Sequence, residues 1–189
     1  MRIEKLRQNF DVDIRLVHFP LHPETPAEGR TLEELFAGRG VDIKASYERM
    51  KGLMDAEGLE YGQRTHTYNS RLAQEIGKWA DTQPGGDAIH DAFYRAYFVD
   101  ARNIGDEEVI LDIVAAVGLD VDAAKKVLTE RSFKDAVDAD WAKSSECGVT
   151  GVPTFAAAGY GVFGAQPYEA LAQLMSQAGA REKAETGAE

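Results

Sequence analysis

The spacing of apolar positions along this chain predicts helices and strands in a mixed order. Residues 3–9 have helical spacing, and residues 12–19 form a β-branched, partly alternating run that is typical of a buried strand. Pro20 ends that run, and residues 21–30 contain two more prolines and a glycine, which indicates a loop. The chain is therefore predicted to start with a helix, a strand and a long connection.

Helical patterns fill the middle of the chain, from Thr31 to Glu146. Thr31 and Glu34 have the spacing of a capping box, in which two side chains satisfy backbone N–H groups at a helix start. The run after Asp106 has acidic residues in its first turn and one apolar stripe up to Gly118, as an amphipathic helix requires. Further helix starts are predicted at Asp42, Asn69, Asp87, Asp120 and Ser132.

The pattern changes again after Gly148, where small, β-prone residues are interrupted by glycines. This run predicts two short strands joined by a tight turn, and residues 168–177 then return to helical spacing. The last stretch, 179–189, is small and charged, so we expect it to fray.

This order of elements favours an α/β fold in which helices cover a mixed sheet. The length of 189 residues is typical of one domain, so we expect a single domain over 1–189. In it, the helical block (about 31–146) is an insertion between the sheet-forming parts (about 1–30 and 147–178).

Acidic residues outnumber basic ones, with 32 Asp and Glu against 21 Lys and Arg and a formal net charge of −11. A nucleic-acid-binding surface needs clustered basic residues, and the sequence has no such cluster, so we expect no nucleic-acid partner. No stretch approaches the roughly 18 apolar residues of a membrane span, and the first ten residues lack the apolar run of a signal peptide. These patterns predict a cytoplasmic protein with no membrane partner.

Cysteine chemistry is restricted because Cys147 is the only cysteine in the chain. One cysteine allows neither an intramolecular disulfide nor a cysteine-rich zinc site, and the four histidines lack the spacing of a metal-binding helix motif, so no metal is expected. Cys147 follows a predicted helix, at the end opposite to the one that activates a thiol. We expect it to be a buried or half-buried small residue, and glutathionylation or an intermolecular disulfide is the alternative.

Three stretches carry a family likeness. The most specific stretch is the segment 148–155 (GVTGVPTF) with 160–167 (YGVFGAQP). The others are 92–98 (AFYRAYF), continued through 103–106 (NIGD) and the helix to 118–120, and 69–73 (NSRLA). Together they resemble the DsbA family, above all its FrnE-like branch, and the related 2-hydroxychromene-2-carboxylate isomerases.

The resemblance implies a thioredoxin-like fold with a large helical insertion and a thiol-disulfide oxidoreductase acting on a protein or a small thiol. It also implies that Pro153 is a cis-proline, which would leave the backbone of Val152 free to pair with an extended substrate. Val152 and Pro153 are therefore the substrate-binding candidates. Glutathione is a candidate substrate or ligand, and no other cofactor is expected.

The chain departs from the family pattern at its N-terminus. In the family, a strand leads to a Cys-x-x-Cys motif at the start of the first helix, and neither the strand nor the motif is in this sequence. We therefore predict no catalytic residue in this chain and no dithiol exchange by it. The missing strand would leave residues 12–19 and the strand starting at Thr154 without their neighbour, so we expect one of three outcomes. The strands close up, a second chain fills the gap, or the natural protein has a longer N-terminus.

Two alternatives to the oxidoreductase stay open. One is a glutathione-dependent isomerase or transferase-like protein, and the other is a non-catalytic binding module or homodimer. The candidate residues for lining a ligand pocket are His18, Phe19, Asn69, Trp79 and Tyr97. Aromatic residues at helical spacing more often belong to a core, so packing is the competing role for these side chains.

Overall fold

The computed structural model describes residues 2–183 of the chain. Its helices are α1 (Arg2–Asn9), α2 (Leu32–Leu35), α3 (Ile43–Ala56), α4 (Arg71–Ala80), α5 (Ala88–Phe98), α6 (Glu107–Ala116), α7 (Val121–Glu130), α8 (Lys134–Glu146) and α9 (Tyr168–Gln177). Its strands are β1 (Arg30–Thr31), β2 (His66–Thr67), β3 (Thr154–Ala157) and β4 (Tyr160–Phe163). β1 pairs with β2 and β3 pairs with β4, both antiparallel.

The chain divides into two compact units. The first unit consists of two segments, the residues up to Leu21 and those from Asp140 onward, and the second unit is His22–Ala139. The second unit contains most of the segment that the sequence predicts as a helical insertion. The extent of a single domain over 1–189 stays a prediction.

In the first unit, the β3–β4 hairpin packs one of its faces against two helices. Ala157 pairs with Tyr160 across a two-residue turn, and both turn residues have positive φ, 49° at Ala158 and 83° at Gly159. The core of this unit contains Leu6 and Phe10 from the chain start and Leu171 from α9, with Phe155 and Val162 packed against them. The predicted strand pair and last helix are therefore confirmed.

The predicted strand over residues 12–19 is wrong. None of these residues belongs to a strand, and Leu16 and Val17 are 45% and 41% exposed. An apolar run becomes a strand only where another backbone takes its hydrogen bonds, and no strand within residues 2–183 pairs with this run. Of the three outcomes expected for the missing neighbour, closure of this run onto β3 is therefore not seen.

The start of the predicted tail is held in place rather than frayed. Asp11 N donates to Arg181 O at 2.9 Å, and Lys183 N donates to Asn9 O at 2.8 Å. These two bonds flank an antiparallel bridge between Phe10 and Glu182. Backbone pairing with the end of α1 therefore orders the segment up to Lys183, and the remainder of the predicted tail, 184–189, lies outside the described residues.

In the second unit, the core forms between α4, α5, α6 and α7. Ile76, Ile89, Ile110 and Val114 are fully buried in it. The capping box is present, since Glu34 N donates to Thr31 Oγ1 at 3.1 Å and Thr31 N donates to Glu34 Oε2 at 3.0 Å. The helical middle of the chain is thus confirmed, although the two-residue strands β1 and β2 inside it were not predicted.

The predicted helix starts differ in how closely the structure follows them. The side chains of Asp42, Asp106 and Asp120 each accept a backbone N–H of the helix that follows. Asp87 precedes α5 but makes no such bond, and the helix predicted from Ser132 begins at Lys134.

Among residues 2–183, no helix has the length and apolar character needed to cross a membrane.

Candidate functional site

The segment between α8 and β3 contains both substrate-binding candidates. The peptide bond between Val152 and Pro153 is cis. Two hydrogen bonds hold the segment, one from Gly164 N to Pro153 O and one from Thr154 Oγ1 to Gly151 O, each 2.8 Å long. This arrangement fixes the backbone on both sides of Val152.

Val152 itself is open to an incoming group. The residue is 50% exposed, and within residues 2–183 its backbone N–H and C=O form no hydrogen bond. Phe163 lies beside this segment and is 59% exposed. A Cβ atom at position 151, where the chain has glycine, would lie only 3.0 Å from a carbon of the Phe163 ring. The exposed apolar side chains of Val152 and Phe163 therefore lie next to a backbone N–H and C=O, those of Val152, that have no hydrogen-bond partner among residues 2–183.

His18 and Phe19 are half-buried residues of the same unit. His18 N donates to Asp140 Oδ2 at 3.1 Å, and Ser144 Oγ donates to His18 O at 3.1 Å. These contacts anchor the end of the 12–19 run to α8 through the backbone of His18. The sequence did not indicate Asp140 or Ser144 because they lie more than 120 residues away from His18 along the chain.

Cys147 is exposed, which corrects the expectation of a buried or half-buried residue. α8 ends at Glu146, and Gly148 adopts a positive φ of 67°, so the chain leaves the helix at Cys147. Its N–H donates to Lys143 O at 3.0 Å, as the last bond of the helix. The thiol is therefore accessible, although it lies at the C-terminal end of the helix, as predicted.

The other three candidates belong to the second unit and have structural partners there. Asn69 donates from Nδ2 to Thr25 O at 2.8 Å and accepts the backbone N–H of Arg71 at 2.9 Å. Asn69 thus supports the start of α4, whose N-cap residue is Ser70, and also holds the preceding loop. Trp79 is 5% exposed and belongs to the core.

Tyr97 is part of an aromatic cluster around a guanidinium group. Arg64 donates to the Tyr97 hydroxyl, which donates in turn to Thr67 Oγ1 at 3.2 Å. The Arg64 guanidinium carbon lies 4.5 Å from the Tyr97 ring centre and 5.2 Å from that of Phe98, within the range of cation–π attraction. Arg64 was not predicted, since nothing in its sequence neighbourhood indicates that it meets a tyrosine 33 positions later.

Glu75 is a buried carboxylate of the second unit that pairs with two arginines. Its side chain is fully buried, and it accepts hydrogen bonds from Arg131 at 2.6 and 2.7 Å and from Arg71 at 2.7 Å. Burial acts to raise the pKa of Glu75, but the hydrogen bonds and charges of Arg131 and Arg71 outweigh it and lower the pKa. The carboxylate is thus held ionised as a structural bridge between α4 and the chain after α7.

Two surface cavities occur in the second unit. One has a volume of about 460 Å³ and is lined by residues that include Lys51 and Tyr61, and the other has about 500 Å³ and is lined by residues that include Arg30 and His66. None of the predicted site residues lines either cavity. Within residues 2–183, no group of three or more His, Cys, Asp or Glu side chains is arranged to hold a metal ion.

A hairpin packed on two helices, preceded by a cis-proline segment and combined with a large helical unit, defines a thioredoxin-like α/β protein with a helical insertion. The family model of the DSBA-like thioredoxin domain matches residues 1–176, so the chain belongs to that family.

Solved structures agree with this assignment. The chain is similar to the crystal structure of a probable DsbA oxidoreductase from Streptomyces coelicolor, with a TM-score of 0.84 and 30% identity over 94% of this chain and 81% of that chain. A structure of a 2-hydroxychromene-2-carboxylate isomerase matches with a TM-score of 0.66 and 18% identity over 94% of this chain and 85% of that one, which shows a shared fold. A comparison with curated proteins found no match.

Proposed function

We propose that this DsbA-like protein docks an extended thiol compound at Val152 and Pro153 and that residues 1–189 alone do not catalyse dithiol exchange. The observation that carries the proposal is the cysteine content. Cys147 is the only thiol in the sequence, and it lies at the C-terminal end of α8.

Dithiol exchange needs two thiols in one site. The first attacks a disulfide to form a mixed disulfide, and the second attacks that intermediate to release the product. Cys147 can form a mixed disulfide because it is exposed, but the chain has no second cysteine to resolve it. Without an external thiol to release it, a mixed disulfide is therefore the expected end point of any reaction at Cys147.

Docking at Val152 has support from the unpaired backbone. An N–H and a C=O without partners are the groups with which an extended peptide forms a short β-type pairing. Glutathione is such a peptide, and a protein thiol in an extended segment offers the same backbone groups. The proposal includes glutathione as a ligand of this segment and a protein thiol as the partner. It also includes a cytoplasmic location and no further cofactor.

An insulin-reduction assay combined with a glutathione titration tests both parts. We expect the rate of insulin precipitation with dithiothreitol to equal the rate without protein. We also expect reduced glutathione to shift the amide NMR signals of Val152 and Thr154 in a saturable way. Cys147→Ser is the control variant, since it removes the thiol and leaves the Val152 segment intact.

Two results would contradict the proposal. Catalysed reduction of insulin that disappears in Cys147→Ser would show that one cysteine suffices. Glutathione binding that shifts signals only outside residues 148–164 would place the ligand elsewhere. If glutathione does not bind at all, a protein thiol remains as the substrate, and mixed-disulfide capture with an extended cysteine peptide tests it.

A further inference from the structure

Arg64 of the second unit has a guanidinium group whose hydrogen bonding is incomplete. Its Nη1 atom donates to the Tyr97 hydroxyl and, more weakly, to His66 O at 3.5 Å. Its Nε atom is buried and has no hydrogen-bond partner among residues 2–183. Nη2 has no partner in that range either, but it is not buried, so solvent reaches the guanidinium on this side. A half-buried cation thus lacks hydrogen bonds that such groups normally form.

The charge of Arg64 is also uncompensated. Within the part of the chain that the structure describes, no carboxylate forms an ion pair with it. Arg95 is paired with Glu60 at 2.6 Å, although its side chain is 59% exposed and water could solvate it alone. Charges that leave water are normally paired, and the sequence offers 32 acidic residues. The missing partner therefore points to an anion from outside the chain.

The unpartnered nitrogens of Arg64 form one edge of its guanidinium. The N–H of Nε and one N–H of Nη2 point the same way from the planar group, and their spacing matches two oxygens of a carboxylate or a phosphate. Because Nη1 is engaged with Tyr97, this Nε–Nη2 edge is the one left for a ligand.

Aromatic rings hold the guanidinium plane but do not satisfy that edge. The guanidinium carbon lies 4.5 Å and 5.2 Å from the ring centres of Tyr97 and Phe98. Cation–π attraction acts through the face of a ring and uses none of these N–H groups. Tyr68 extends the aromatic surroundings, with its ring centre 6.4 Å from that of Tyr97. Apolar surroundings make an unpaired N–H costly and strengthen its attraction to an anion.

We propose that the Nε–Nη2 edge of Arg64 binds an oxyanion, the carboxylate or phosphate group of a small-molecule ligand. Two parallel N–H···O bonds complete the hydrogen bonding of the guanidinium, and the anion neutralises its charge. The chain has a net charge of −11 and repels anions at long range, so the attraction comes from the short bidentate contact and the site is weak. The site does not depend on Cys147 or Val152 and is a function beyond the proposed thiol docking.

NMR of the Arg64 Nε–H signal tests the site directly. Inorganic phosphate and sodium acetate are the two probes, each titrated at neutral pH and at an ionic strength held constant with sodium chloride. We expect a saturable shift of the signal, with a dissociation constant on the order of 1–10 mM. A response to phosphate alone supports a site for phosphate groups, a response to acetate alone supports a site for carboxylates, and a response to both supports a general oxyanion site.

Arg64→Lys separates the bidentate geometry from the charge. Lysine keeps a cation but has no planar pair of N–H groups, so we expect phosphate or acetate binding to be at least about tenfold weaker. The backbone amide signals of residues 64–68 report binding in the wild type and in the variant. Arg95→Lys is the matched control, because it changes an arginine of the same unit that is already paired with Glu60, and it should bind like the wild type.

Two results would overturn the proposal. The first is a wild-type Nε–H signal that stays in place at about 50 mM of either probe, a measurement that needs no variant to fold. The second is equal binding by Arg64→Lys and the wild type, which would show that the N–H pair is not used. Neither probe contains a thiol, so a failure here leaves the proposed thiol docking untouched.

Discussion

Replacing the buried carboxylate Glu75 by the amide in Glu75→Gln is expected to destabilise the second unit strongly. In the wild type both carboxylate oxygens accept guanidinium N–H groups, Oε1 from Arg71 and Arg131 and Oε2 from Arg131. The amide of Gln keeps one acceptor oxygen and directs its NH₂ group at a guanidinium donor. The substitution keeps the side-chain volume, so it changes charge and hydrogen bonding and leaves packing intact.

The size of the effect follows from what the two arginines lose. Removing one partner of a buried ion pair typically costs 3–5 kcal/mol, because the remaining charge is left uncompensated. Arg71 keeps a second carboxylate, Asp138 at 2.7 Å, and Arg131 is 42% exposed, so water can solvate part of its charge. We therefore expect the lower end of the range, about 3 kcal/mol in the free energy of unfolding.

Urea and thermal denaturation followed by far-UV circular dichroism measure this loss. A loss of about 3 kcal/mol corresponds to a decrease of roughly 6–12 °C in the melting temperature for a protein of this size. Glu60→Gln is the matched control, since Glu60 pairs with Arg95 at 2.6 Å and both side chains are mostly exposed. Water already solvates that pair, so we expect little change. If Glu75→Gln and Glu60→Gln had equal melting temperatures, the role assigned to the buried network would be refuted.

Two further predictions concern acid and helix capping. Because the pKa of Glu75 is lowered in the folded chain, the stabilisation by its network is complete above its ordinary value of 4.5 and is lost as the pH falls through the folded value. The stability difference between wild type and Glu75→Gln should therefore shrink in urea titrations below about pH 4.5, and a difference that grows there would contradict the assigned direction. Asp106→Ala should cost about 1 kcal/mol, because Asp106 Oδ1 accepts the N–H of Glu108 at 2.8 Å, whereas Asp87→Ala should cost clearly less, because Asp87 makes no side-chain capping bond. Equal losses in the two alanine variants would show that helix charge, and not the capping bond, is responsible.

Local signals in the sequence were sufficient for the helical elements. The helix after Asp106 depends on a capping side chain, acidic residues in its first turn and an apolar stripe, which all lie within one short segment. The β3–β4 hairpin was predictable for the same reason, since its turn residues separate the two strands by only two positions. The family likeness added the fold and the position of the cis-proline segment, which periodicity alone did not provide.

Contacts between distant segments were not accessible from the sequence. Glu75 and Arg131 are separated by 56 positions, so no local pattern joins them, although the spacing of Arg71 and Glu75 on one helix suits an i,i+4 ion pair. α8 ends at Glu146, as the helical spacing predicts, but the exposure of Cys147 depends on what packs around that helix end, which apolar spacing does not define. Asn69 and Trp79 were correctly placed at a helix start and on an apolar helix face, and the ligand role suggested for them stays a prediction; neither lines the two cavities described above.

The run 12–19 shows why composition predicts a strand less reliably than a helix. A helix satisfies its backbone within one segment, whereas a strand exists only when a second segment supplies the hydrogen bonds. This run has the residues of a strand, yet its end is held instead by Asp140 and by Ser144 through the backbone of His18. Among residues 2–183 no strand lies beside β3 on the edge away from β4, and none lies beside this run. The failed strand prediction thus has a physical cause in the described residues, since the run has the composition of a strand but no backbone to pair with.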